Sequence, residues 1–214
     1  MLIRKIKNKI SHLLFNPHNK EQKKLQKFAL LKYDNIFTHM TTTEKLALFG
    51  IIKKFNKPII AAEIGSYLGA SACFICKALK PNSKLICIDT WENDAMQYGN
   101  DIDGEKRDTY QEFINNTLDF SSSIIEMRGW SNQVSDKVQN IYKNLNFLFI
   151  DGDHNYEGVK QDWALYKPML KKGSIVAFHD TGWAEGVKKV ITEEVLLVAD
   201  LVLKLPNLEF YRIK

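Results

Sequence analysis

The stretch N-F-L-F-I-D-G-D-H-N-Y, residues Asn146 to Tyr156, decides how the rest of the chain is read. Four apolar residues, Phe147 to Ile150, run without polar alternation and stop at Asp151-Gly152-Asp153-His154. A short run with no outward-facing polar positions fits a strand covered on both faces, the usual state of a central strand in a parallel sheet. Such sheets take their ligands at the carboxyl ends of their strands. Two carboxylates and an imidazole are therefore expected where chemistry is done.

Around this run the chain alternates strand and helix from Pro58 onward. Strands are expected over 59–64, 84–88, 123–127, 147–150, 174–178, 200–205 and 208–213. Helices are expected over 70–79, 106–117, 132–141, 156–170 and 185–195, the fourth stopped by Lys171-Lys172-Gly173. The short Pro206-Asn207 link makes the last two strands an antiparallel pair. Strands separated by helices imply right-handed crossovers. The fold class is thus α/β, a doubly wound, mostly parallel seven-stranded sheet closed by an antiparallel C-terminal hairpin.

Residues 1–57 read as a basic helical extension ahead of a domain spanning 58–214. Positions 2–15 place Leu2, Ile3, Ile6, Ile10, Leu13 and Leu14 on one helical face, with Arg4, Lys5, Lys7 and Lys9 on others. That face suits an anionic membrane surface, a partner subunit or the chain's own domain. Pro17 breaks the pattern, and a second basic helix is expected over 20–32. Thr41-Thr42-Thr43-Glu44 then offers N-cap chemistry for a third helix ending near Asn56-Lys57-Pro58.

A chain of 214 residues that is 45% hydrophobic can bury a real core within one domain. No apolar run approaches the roughly 20 residues of a spanning helix, and no signal-peptide pattern is read at the N-terminus. The net charge of +5 is concentrated before Tyr33, where Glu21 is the only acid. The near-neutral remainder does not support a nucleic-acid footprint there. Cys73-x-x-Cys76 has Phe74 and Ile75 between its thiols, so it reads as part of a buried helix face rather than a redox pair. With Cys87 also in apolar surroundings, the thiols suit a reducing, cytoplasmic compartment.

The first strand ends in Glu63-Ile64-Gly65-Ser66-Tyr67-Leu68-Gly69-Ala70-Ser71 and opens directly into a helix. Gly65 allows a tight turn, Gly69 allows close backbone approach, and the amides at the helix start can receive a carboxylate. The spacing lacks the third glycine of nicotinamide and flavin sites, which disfavours an oxidoreductase. Asp89 closes the second strand, where a carboxylate can accept both hydroxyls of a ribose. Glu63 adds an acid on the same rim. A ligand with a ribose, an ammonium and a carboxylate but no phosphate fits this set, and S-adenosylmethionine (SAM) is such a ligand.

On these residues the chain from Pro58 onward resembles class I SAM-dependent methyltransferases. More narrowly, it is similar to the bacterial family of macrocin-type sugar and cephalosporin-cluster O-methyltransferases. The motifs carrying this are E-I-G-S-Y-L-G-A-S (63–71), I-D-T-W (88–91), F-I-D-G-D-H-N-Y-E-G-V (149–159) and V-A-F-H-D (176–180). The resemblance implies that Glu63, Gly65, Ser66, Tyr67, Gly69 and Ser71 surround the methionine part of SAM, with Asp89 on the ribose and Trp91 beside it. Gly129, Trp130 and Ser131 would flank the adenine. It also implies a divalent cation, magnesium or else manganese or another ion, held by Asp151, His179 and Asp180, with Asp151 bordering the cofactor as well.

The resemblance makes His154 the base that takes the acceptor's proton, beside Asp151. Asp153 is expected to cap the helix that follows. The loop over 91–108 would overhang the cofactor as a lid or stand as a solvated loop. The implied activity is O-methyl transfer to a hydroxyl of a small molecule or sugar, with a non-catalytic SAM-binding scaffold as the alternative. A homo-oligomer, paired through the N-terminal helices or the terminal hairpin, is compatible with this reading.

Overall fold

The computed structural model describes residues 17–92 and 107–214. The basic helix expected over 2–15 and most of the 91–108 loop lie outside these residues. Among the described residues three helices come first: α1 (Pro17–Lys27), α2 (Leu31–Asp34) and α3 (Thr42–Ile52). Pro17 stands in the first turn of α1, three residues ahead of the expected start at Lys20, where a missing N–H costs nothing. The expected 20–32 helix is split where Ala29 takes a positive φ of 53°. Helix α3 starts as the sequence indicates, with a reciprocal capping box between Thr41 and Glu44. Thr41→Ala is expected to lower global stability by about 1 kcal/mol, measured by urea unfolding.

The sheet is built from β1 (Ile60–Ile64), β2 (Lys84–Asp89), β3 (Ile124–Arg128), β4 (Leu145–Ile150), β5 (Leu170–His179), β6 (Ala199–Lys204) and β7 (Leu208–Ile213). Between them run α4 (Ala70–Ala78), α5 (Thr109–Thr117), α6 (Ser131–Ile141), α7 (Tyr156–Tyr166), α8 (Glu185–Val190) and the short α9 (Leu196–Val198). The strand order is β3-β2-β1-β4-β5-β7-β6, parallel except for β7 against β5 and β6. Order reverses between β1 and β4, which makes their carboxyl ends the crevice of the doubly wound sheet.

Central strand β4 shows why its sequence has no polar alternation. Phe147 and Phe149 join one buried cluster with α1 to α5, while Leu148 and Ile150 join a second with α6 to α8. Both clusters are continuous along the sheet, so a polar residue at any of the four positions would sit in apolar surroundings. Cys73, Cys76 and Cys87 are buried free thiols, and burial raises the pKa of each.

Two elements differ from the sequence reading. Helix α7 ends at Tyr166, and after a 3₁₀ turn over Lys167–Met169 the strand β5 begins at Leu170, four residues ahead of Ser174. Lys171-Lys172-Gly173 therefore sits inside a strand, at a register shift between Leu145 and Phe147 that Gly173 accommodates with φ 88°. The helix expected over 185–195 is α-helical only to Val190 and continues as a π-helical turn over Ile191–Val195.

Candidate active site

The carboxyl end of β1 touches those of β4 and β2 through backbone. The Asp151 N–H donates to the Ile64 carbonyl at 2.9 Å, and Gly65 N–H donates to the Ile88 carbonyl at 2.9 Å. Gly65 has φ 85°, and a Cβ there would lie 2.1 Å from the Asp151 carbonyl oxygen. Only glycine meets both constraints. Gly69, also at φ 85°, lets α4 begin against Thr117 and Phe113.

Around this turn stand the residues expected at the cofactor. Glu63 is fully buried on β1; its Oε1 and the buried Ser66 Oγ have no hydrogen-bond partner among the described residues. Burial pushes the Glu63 carboxyl up to about 7, with Ser71 and Ser66 opposing and the charges of Asp151 and Asp89 adding to it. Asp89 binds the turn itself, accepting the Tyr67 N–H at 2.8 Å and the Trp91 N–H at 2.7 Å. Tyr67 and Trp91 both hold positive φ, 42° and 53°. The Trp91 ring is buried against Tyr110 and Phe113, and its Nε1–H donates to the Tyr67 carbonyl at 2.8 Å. Trp91 thus pins the turn from behind.

Gly129, with φ 140°, follows β3 and donates its N–H to the Asp89 carbonyl at 2.9 Å. Trp130 is 54% exposed beside it. Ser131 donates its hydroxyl to buried Asp162 of α7, a residue the sequence reading did not single out. Burial pushes the Asp162 carboxyl up to about 6. Asp153 does not cap α7: Asn155 is the cap, accepting the Gly158 N–H at 2.9 Å, while Asp153 accepts the Asn155 N–H at 2.9 Å. Asparagine satisfies the orphan amide equally well, which is why composition alone could not choose between them.

The ends of β4 and β5 bring four groups together. His179 Nδ1 lies 3.0 Å from Asp151 Oδ1 and 3.2 Å from Asp180 Oδ1. His154 Nε2 lies 2.8 Å from Asp180 Oδ2. Asp180, at φ 59°, has its Oδ1 further bound by Trp183 Nε1–H at 2.8 Å and Asn207 Nδ2–H at 3.1 Å. Burial alone would lower the His179 imidazole, but Asp151, Asp180 and Glu44 outweigh it and raise its pKa. Asp180 raises His154 in the same way.

Asp180 itself, despite burial, is held well below the usual carboxylate range by His154 and His179. Glu44, Trp183 and Asn207 are members of this cluster that sequence reading missed. Glu44 was visible only as a cap, Asn207 only as a turn residue, and Trp183 only by lying three positions past the H-D pair.

Ligand atoms of Asp151, His179 and Asp180 all lie within 4.8 Å of one another. Cis ligands about 2.1 Å from one ion are about 3 Å apart, close to the separations His179 Nδ1 makes with both carboxylates. The donors Trp183 and Asn207 on Asp180 are the outer-shell bonds expected of a ligating carboxylate. The set fits a divalent cation. The cofactor turn fits SAM on separate grounds: a buried unpartnered carboxylate oxygen and hydroxyl, a glycine cradle, and an acid at the end of β2.

Sheet order, reversal point and turn define a class I SAM-dependent methyltransferase. Residues 62–181, more than half of the chain, match the family described as a methyltransferase domain, and the chain belongs to that family. Its fold is similar to that of the O-methyltransferase NovP, with a TM-score of 0.68 at 14% identity over 84% of this chain and 83% of that one. It is similar to the calicheamicin methyltransferase CalS11, with a TM-score of 0.62 at 15% identity over 92% and 93% of the two chains. The O-methyltransferase TomG from Streptomyces achromogenes, solved with SAM, gives 0.61 at 13% identity over 98% and 96%.

A protein of Sinorhizobium fredii, y4gI, is 28% identical over 130 residues, 58% of this chain. The chain spans 13% of that relative's length. No helix among the described residues is long and apolar enough to cross a membrane.

Proposed function

We propose that the chain is a metal-assisted O-methyltransferase acting on a hydroxyl of a small molecule or sugar. The observation that carries this is the meeting of Asp151, His179, Asp180 and His154 on one rim, next to the Gly65 turn. SAM supplies a methyl already activated by its sulfonium. Glu63, Ser66, Ser71 and the turn over 65–69 would hold its methionine part, Asp89 its ribose, and Gly129 to Ser131 its adenine. A divalent cation on Asp151, His179 and Asp180 would supply charge to lower the pKa of the acceptor hydroxyl.

The chain's own part is positioning and proton removal. Asp180 holds His154 by Nε2, which leaves Nδ1 as the nitrogen that takes the acceptor's proton. Trp183, 59% exposed, stands edge-on to His154 with ring centroids 5.0 Å apart. Its apolar face is suited to a sugar ring, and CalS11 is described as a TDP-rhamnose 3'-O-methyltransferase.

The test is transfer of labelled methyl from SAM to a panel of sugar nucleotides and phenols, before and after chelation. Transfer to at least one acceptor is expected, falling more than about tenfold with EDTA and returning with Mg²⁺ or Mn²⁺. Undiminished transfer in EDTA would remove the metal from the reading. Tight S-adenosylhomocysteine (SAH) binding with no transfer to any acceptor would favour the non-catalytic scaffold.

A further inference from the structure

We infer that the protein carries a second binding site, a groove at the opposite end of the sheet from the active site, for an apolar molecule bearing an anionic oxygen group such as a carboxylate. The site is independent of the metal and of the acceptor proposed above.

The groove has a volume of about 710 Å³ and lies between α7, the 3₁₀ turn that follows it, the start of β5, α9 and the end of β7. It borders Leu170, the first residue of β5, whereas His179 is the last. At about 3.3 Å per residue the two ends of that strand are roughly 25–30 Å apart, so the groove is separate from the active-site rim. Its walls are apolar, with Pro168, Leu197, Val198 and Ile213 among them. Leu197 is 72% exposed and Leu196 beside it is also exposed, so an apolar ligand body would remove hydrocarbon from water. These leucines follow the π-helical turn over Ile191–Val195, a feature frequent at functional sites.

Two polar groups decide what such a ligand must carry. Trp163 lines the groove, and its Nε1–H is buried with no hydrogen-bond partner among the described residues. A buried donor left unpaired is costly, and an indole N–H can only donate, so the missing partner is an acceptor. Lys167, four residues on, holds its Nζ 5.7 Å from the centre of the Trp163 ring. The other charges lining the groove are already paired. Glu194 lies 3.7 Å from Lys160, while Lys214 lies 3.4 Å from Asp200 and donates to the Leu196 carbonyl at 3.3 Å. Lys167 makes no such pair among the described residues, which leaves one cation beside one unmet donor. An oxygen anion answers both, accepting the indole N–H while its charge faces the ammonium. A neutral hydrocarbon would leave the N–H unpaired, and a cation would be repelled.

The test titrates octanoate, and 1-octanol as its neutral counterpart, into the full chain carrying ¹⁵N in its four tryptophans. The Trp163 indole signal is identified through its contact with the Phe178 ring, 5.9 Å away between centroids. Octanoate is expected to move that signal downfield, as a newly formed hydrogen bond does, and to leave the Trp183 indole at the active site in place. 1-Octanol is expected to bind about tenfold more weakly than octanoate, and Lys167→Gln to lose about tenfold in octanoate affinity. Lys167 is only partly buried, so that variant takes no side chain out of the core.

A Trp163 signal that octanoate does not move overturns the site, and so does a shift at Trp183 in its place. Equal affinity for octanoate and 1-octanol, or full octanoate affinity in Lys167→Gln, overturns the requirement for an anion. The readout uses neither SAM nor turnover, so its failure would leave the methyltransferase reading as it stands.

Discussion

Replacing His154 by Ala is expected to lower kcat by about 10²- to 10⁴-fold while SAH affinity stays within about twofold. The selectivity follows from where the ring sits. Its side chain is 42% exposed, bound at Nε2 to Asp180 and edge-on to Trp183. Removing a half-exposed ring opens no core cavity, so a loss of turnover would report chemistry rather than unfolding. The pH profile adds an independent check. Asp180 raises the His154 pKa above the ordinary 6.5, and a base acts only when unprotonated. In wild type, kcat/KM should therefore climb with pH as His154 loses its proton, and His154→Ala should lose that limb. Turnover equal to wild type in the variant would remove His154 from the base role.

How much of this was legible in the sequence depends on whether the information is local. The four-residue run before Asp151 has no polar alternation because both faces of β4 are covered, so its place at the sheet centre could be read directly. The Gly65 turn was legible for a similar reason: backbone approach to Asp151 at that distance leaves no room for a side chain. The start of β5 was not. Lys171-Lys172-Gly173 has the composition of a loop, and it becomes strand only because β4 offers a ladder beside a bulge. Partners across the fold were equally hidden. Nothing near Thr41 announces that the Glu44 carboxylate faces His179, and nothing in Pro206-Asn207 shows that the amide reaches Asp180. Drawing a boundary at 57/58 followed the change in rhythm from helices to strand–helix units. The contact of Glu44 with His179 crosses that boundary, so the helical layer contributes to the site as well as to the core.

Glu63→Gln is expected to make the protein more stable at pH 8, by up to about 3 kcal/mol relative to wild type, and to weaken SAH binding about tenfold. The stability gain has a definite pH window. Burial raises the Glu63 carboxyl from 4.5 to about 7. A carboxyl raised in the folded state gives a stability that is full below 4.5 and is lost as pH rises through about 7, because the unfolded chain ionises first. Gln keeps the shape of the protonated acid and cannot ionise, so urea unfolding should show wild type and variant converging near pH 4 and separating toward pH 8. A wild-type curve without that decline would mean the carboxyl is not held protonated by its surroundings. Binding should show the other half of the same linkage. A ligand ammonium near the unpartnered Oε1 draws Glu63 into its charged form, so SAH binding to wild type should release a proton below about pH 7, measurable by calorimetry in buffers of different ionisation enthalpy. The variant should release none from this position. Stability kept low by one buried acid would then be the direct physical consequence of a turn shaped to receive a cation.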